Sequence, residues 1–125
     1  MDNTDTNLTE FEKTIIEDKE EGNCKYYNMS VKHEGNNIAK ASFTVCQCEV
    51  GIIGLFEVDE KYRRKGYGKK TLEDIEYFMA IENNVKILML IPLPNSRGFW
   101  EHMGYINVGK NGMCKDIWEK YSIFK

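Results

Sequence analysis

An α+β fold is predicted for this chain: a mixed, mostly antiparallel sheet, splayed at one point, with helices on both faces. Three observations carry that expectation. Extended patterns over Tyr26–His33, Ile38–Cys48 and Val50–Val58 are joined by short polar connections, the spacing of an antiparallel meander. A helical pattern after Gly68 separates Val50–Val58 from the apolar run Val85–Ile91, and a strand–helix–strand passage needs a right-handed crossover that leaves its two strands parallel. Two further extended stretches close the chain, at Tyr105–Val108 and Cys114–Phe124, joined through Gly109-Lys110-Asn111-Gly112.

Each element has a local reason. Thr9 with Glu12 three residues on resembles a capping box, and Phe11, Ile15 and Ile16 share one side of a helix running to about Glu20, ended by Gly22-Asn23. Glu34-Gly35-Asn36-Asn37 holds residues that tolerate positive φ, so a hairpin turn is expected there. Gly51 and Gly54 offer no side chain to pack within their strand, which points to a bulge or a close approach. Leu72, Ile75 and Met79 recur at helical spacing, with Glu73, Asp74, Glu76 and Glu82 placed outside, and Asn83-Asn84 stops the helix. Val85–Ile91 is nearly unbroken in its apolar character, as a strand buried on both faces requires. Pro92 and Pro94 end that pairing, and a short helix follows over Ser96–Met103.

Composition narrows the class. The chain has 125 residues, 42% hydrophobic and 30% charged, which suits one domain over residues 1–125 and excludes general disorder. No apolar run approaches the roughly 18 to 20 residues that span a bilayer, and the N-terminus is acidic rather than signal-like. A cytoplasmic protein with no membrane partner is expected. Cys24, Cys46, Cys48 and Cys114 show no C-x-x-C spacing, so reduced thiols are the preferred reading and no metal site is expected. Cys46 and Cys48, two apart, are expected on one face of a strand. Residues 1–22 carry eight acids against Lys13 and Lys19, so the net −3 leaves +3 on the remainder. Lys61, Arg63, Arg64, Lys65, Lys69 and Lys70 fall within ten residues, a density that suits a multiply phosphorylated ligand.

Those cations flank Gly66 and Gly68, between the Val50–Val58 strand and a helix N-terminus. Unpaired N–H groups and the positive end of the helix dipole make such a turn an anion site. The spacing Arg63-x-x-Gly66-x-Gly68 matches neither a P-loop nor a dinucleotide fingerprint. Val58 through Leu72 instead resembles the signature of the GNAT superfamily of N-acetyltransferases, and Asn95-Ser-Arg-Gly-Phe99-Trp100-Glu-His-Met-Gly104-Tyr105 is similar to that family's later motif. The resemblance covers roughly residues 50–120 and implies a GNAT-like acyl-CoA N-acyltransferase fold with its N-terminal part shortened.

The resemblance also implies acetyl-CoA as co-substrate, with Arg63, Arg64, Lys65, Gly66, Tyr67, Gly68 and Lys69 around its pyrophosphate. Main-chain groups at Phe56 and Val58 would pair with pantetheine, and Asn95 and Trp100 would lie against it. Amine acetylation needs a neutral amine, whereas a free alkylamine with a pKa of about 10.4 is almost wholly protonated at neutral pH. Glu57 is the nearest acidic candidate for a base. Where the family places an acidic Tyr, this chain has Trp100, whose indole N–H donates a hydrogen bond but supplies no proton. Tyr105, His102, Tyr67 and Tyr121 are alternative acids that the sequence does not rank, and Tyr105 is carried with Glu57 as a catalytic candidate. The first expectation is acetyl transfer to a primary amine, of a small molecule or of a protein or peptide, by direct attack on the thioester. The second is a CoA-binding regulatory module of the same fold with weak or no catalysis. Nucleic-acid binding through the basic loop ranks third, because the chain is acidic overall and lacks an aromatic-basic platform. Exposed terminal strands offer an edge for homodimerisation.

Overall fold

A computed structural model describes residues 11–124. Seven strands form one sheet in the order β1-β2-β3-β4-β5-β7-β6. Its members are β1 (Phe11–Glu21), β2 (Cys24–His33), β3 (Asn36–Cys46), β4 (Val50–Val58), β5 (Ile87–Leu90), β6 (Ile106–Val108) and β7 (Gly112–Asp116). Only β4 and β5 run parallel; the other neighbours are antiparallel. The helices are α1 (Tyr67–Tyr77), continued by a π-helical turn over Phe78–Glu82, α2 (Arg97–His102) and α3 (Trp118–Tyr121). The mixed, mostly antiparallel sheet and its crossover are as the sequence predicts.

The N-terminal helix is not. From Phe11 to Glu21 the chain is a strand paired with β2 along its length, and the proposed cap Thr9 lies outside the described residues. The spacing of Phe11, Ile15 and Ile16 fits a helix, but this segment also satisfies the main-chain groups along one edge of β2, and that long-range pairing overrides local propensity. Gly22, at φ +62°, turns β1 into β2. Lysines and glutamates along β1 suit an edge strand, where charge discourages further pairing.

Two boundaries also move. β3 ends at Cys46, so Cys48 sits exposed in the following turn rather than beside Cys46 on a strand. The final stretch is a strand only to Asp116, whose carboxylate accepts the Trp118 and Glu119 N–H groups at 2.9 and 3.3 Å and turns the chain into α3.

The core lies on one face of the sheet. Met29, Ala41, Phe43, Val45, Ile53, Leu88, Leu90 and Met113 point there and are buried with Leu72, Ile75, Met79 and Ala80 of α1 and its π-helical continuation. Gly51 permits the close approach expected of it: a Cβ there would lie 2.6 Å from Met79 Sδ. Gly54 falls at a bulge between Ser42 and Phe43 in the β3–β4 ladder. Among the described residues the helices gather on this face, α2 through Phe56 and Trp100 and α3 through Tyr121 and Glu76. The opposite face carries Ile52, Leu55, Ile87 and Met89, each about two-fifths exposed. Alternation places those side chains there, since Ile53, Leu88 and Leu90 between them turn inward. The run from Val85 to Ile91 is therefore half-exposed in β5, not buried on both faces.

Candidate active site

The sheet opens where β5 ends. Pairing between β4 and β5 runs from Val50↔Ile87 to Ile53↔Leu90, and β4 continues to Val58 alone on that side. Asp59 N–H donates to Ile38 O at 2.7 Å across β3. Main-chain groups alternate in direction along a strand, so those of Phe56 and Val58 face the gap left by β5. An extended amide chain laid in that gap would meet a free strand edge.

Beyond Val58 the chain folds into a tight loop. Asp59 accepts the Lys61 N–H at 3.0 Å and starts a 3₁₀ turn over Glu60–Tyr62. Arg63 Nε donates to Val58 O at 2.9 Å, tying the loop to the strand end and committing that carbonyl. Arg64 at φ +63° and Gly66 at φ +87° swing the backbone into α1. Among the described residues no side chain caps this helix; the first bond into it runs from Lys70 N–H to Gly66 O at 3.1 Å. The Tyr67, Gly68 and Lys69 N–H groups therefore stand at the positive end of the helix, beside the exposed cations Lys61, Arg64, Lys65 and Lys69. Lys70 is partly withdrawn by Asp74 at 3.2 Å. The two glycines serve differently. Gly66 supplies a positive φ, whereas Gly68 sits against Phe99 and Val58, where a Cβ would make ordinary van der Waals contact at 3.4 and 3.5 Å.

Aromatic rings line the gap from the helix side. Phe56 stacks on Phe99 with centroids 5.7 Å apart and meets Trp100 edge-on at 5.3 Å, and Trp100 meets Tyr105 at 5.2 Å. Trp100 is buried in this cluster. Tyr67 packs edge-on against Tyr62 at 5.6 Å. Asn95 is exposed in the turn before α2, where Ser96 rather than Asn95 bonds Leu93 O.

The candidate proton carriers are not brought together. Glu57 lies on the helix-free face, half-exposed, with Lys40 Nζ 3.5 Å from its carboxylate. Tyr105 is buried, and its hydroxyl donates to Glu76 Oε2 at 2.9 Å. Burial first, then the Glu76 carboxylate, raises the Tyr105 pKa well above the ordinary phenol value. Tyr121 is held the same way, donating to Glu76 Oε1 at 2.9 Å, and His102 is exposed at the end of α2.

Glu76 is the residue the sequence misplaces. Expected outside the helix, it is fully buried and accepts from Tyr105, Tyr121 and Lys115, whose Nζ lies 3.1 Å away and also donates to Met103 O at 2.9 Å. Its position four residues after Leu72, on the apolar stripe, is the one local hint. Its partners come from 29 to 45 residues downstream, beyond the reach of local pattern. The network fastens the start of β6, β7 and α3 to α1, and so fixes the floor beneath Trp100.

Among the described residues no group of three or more His, Cys, Asp or Glu could hold a metal ion, and no helix is long and apolar enough to cross a membrane. No curated protein sequence matches the chain. Solved structures do. Tetrahymena GCN5 superposes with a TM-score of 0.65 at 14% identity over 74% of this chain and 68% of that one. The PaiA N-acetyltransferase from Thermoplasma acidophilum, solved in complex with coenzyme A, gives 0.63 at 17% identity over 73% and 60%. The ribosomal-protein-S18-alanine N-acetyltransferase from Escherichia coli gives 0.63 at 20% over 74% and 69%. At such identities these likenesses show the fold. The sequence model of the acetyltransferase (GNAT) family matches residues 2–105, a span that includes the β4 edge, the basic loop and α2. A splayed sheet with a loop of this build, together with that match, makes the chain a member of the GNAT family of acetyltransferases.

Proposed function

We propose that this protein is an acetyl-CoA-dependent N-acetyltransferase that moves the acetyl group to a primary amine. The observation that carries the reading is the free β4 edge at Phe56 and Val58 running directly into the basic loop and the uncapped start of α1. Acetyl-CoA, the family's co-substrate, fits the donor set: main-chain amides and four exposed cations for its phosphates, a strand edge for its amide arm, and an aromatic wall behind the gap. When bound it supplies an activated acyl thioester.

The chain's own groups do the rest. Tyr67, Gly68 and Lys69 N–H groups orient the phosphates, with Arg64, Lys65 and Lys69 adding charge. The Phe56 main chain and the Val58 N–H fix the amide arm, while Phe56, Phe99 and Trp100 exclude water from the reacting end. Glu57, at the end of the same strand on the helix-free face, is the carboxylate placed to accept a proton from an amine approaching over that face. Tyr105 holds its proton against Glu76 and serves to position α2 and Trp100. The leaving thiolate then takes its proton from solvent at the mouth of the gap. An acceptor presented by a small molecule or by a polypeptide satisfies this arrangement.

Isothermal calorimetry with acetyl-CoA, followed by assay of free CoA release against a panel of primary amines, tests the proposal. Saturable binding with amine-dependent release is expected. Binding without release from any amine would favour the regulatory-module reading, for which the Trp100 substitution is the motive, and absence of binding would remove both.

A further inference from the structure

We propose that Cys24 and Cys46 form a reactive dithiol site, which closes to an intramolecular disulfide by exchange with a low-molecular-weight disulfide. The two are direct cross-strand partners at the end of the β2–β3 ladder. Gln47 N–H donates to Asn23 O at 3.0 Å, a bond that brackets the pair from outside. That pattern identifies a non-hydrogen-bonded antiparallel pair, the class in which opposite Cα atoms lie closest, at about 4.5 Å, and the side chains leave the same face side by side. This separation falls within the range that a disulfide spans without moving the backbone. Both thiols are partly exposed.

The chemistry balances without another reagent. The Cys24 thiolate attacks one sulfur of the small disulfide, forming a mixed disulfide and releasing one thiolate. Cys46 then attacks the Cys24 sulfur, breaks the mixed disulfide and releases the second thiolate, which takes up the Cys46 proton. Two protein thiols are oxidised and one small disulfide is reduced to two thiols. The hydrogen bond shared with Cys24, then burial and the neighbouring thiols, push Cys46 up to about 11. Once Cys24 carries the mixed disulfide that hydrogen bond is lost, and Cys46 attacks at high effective concentration. The site lies at the opposite end of β3 and β4 from Val58, so its operation is independent of the acetyl-transfer reading.

The experiment incubates the full-length protein with oxidised glutathione, blocks free thiols with N-ethylmaleimide, and maps tryptic peptides by mass spectrometry under non-reducing conditions. The expected product is Glu20–Lys25 linked to Ala41–Lys61, with the loss of two hydrogens, and fragmentation placing the bond at Cys46. Cys48→Ser and Cys114→Ser should retain the link, and Cys46→Ser should stop at a glutathione adduct on Cys24. If Cys46→Ser does not fold, fragmentation of the wild-type linked pair decides by itself. Since the bond closes the loop from residue 24 to 46, the oxidised form should melt higher, by about 5 °C or more. A bond at Cys48 or Cys114, links between copies, glutathione adducts that never close, or a linked form with an unraised midpoint would each overturn the proposal.

Discussion

Glu76 shows how much one side chain organises here. Its carboxylate has no exposure and three side-chain partners, two phenols and the Lys115 ammonium. Glu76→Ala would strip two buried hydroxyls of their acceptor and leave the partly buried Lys115 ammonium on the Met103 carbonyl without its counter-charge, so a loss of about 3 to 5 kcal/mol is expected from urea unfolding. Glu76→Gln keeps the volume and should lose less, about 1.5 to 3 kcal/mol. Glu57 tests chemistry instead. It is half-exposed and, among the described residues, paired with Lys40, so Glu57→Gln should fold normally and bind acetyl-CoA unchanged, while its turnover with the preferred amine falls about 100-fold or more at neutral pH. An unaltered turnover would leave desolvation of the amine as the means of activation. Glu57 could be named from its place at a strand end, whereas Glu76 required knowing what lies opposite it in space.

Among elements, the loop from Asp59 to Gly68 is the most legible in the sequence and the N-terminal strand the least. The loop's chemistry is local: glycine, positive φ and a helix start follow within a few residues, so motif and geometry coincide. Gly66→Val would force a β-branched residue to φ +87°, a cost of about 1 to 3 kcal/mol that the loop can relieve only by deforming. Acetyl-CoA affinity by calorimetry should then drop about tenfold or more, with the circular dichroism spectrum of the fold retained. β1 is the reverse case. Its apolar spacing suits a helix, and only the pairing with β2 makes it a strand.

Across the whole molecule, the buried phenols couple folding to alkaline pH. Tyr105 and Tyr121 are both held above the ordinary value near 10, by burial and by Glu76. Above that pH the unfolded chain releases these protons while the folded chain keeps them, so the stabilisation is whole below pH 10 and is lost as pH climbs toward the folded values. The thermal midpoint should fall between pH 10 and about 12, and more shallowly in Tyr105→Phe/Tyr121→Phe than in the wild type. The same distinction separates what each level decided. The sequence alone determined the β-meander, the crossover, the basic loop and the family, because each depends on residues close together in the chain and on their short-range spacing. The tertiary structure decided that residues 11–21 form a strand, that the helices share one face, that Glu76 is buried and that Cys24 opposes Cys46. Those outcomes depend on pairings between segments far apart in sequence, where ladder bonds and burial outweigh the weak preferences of single residues.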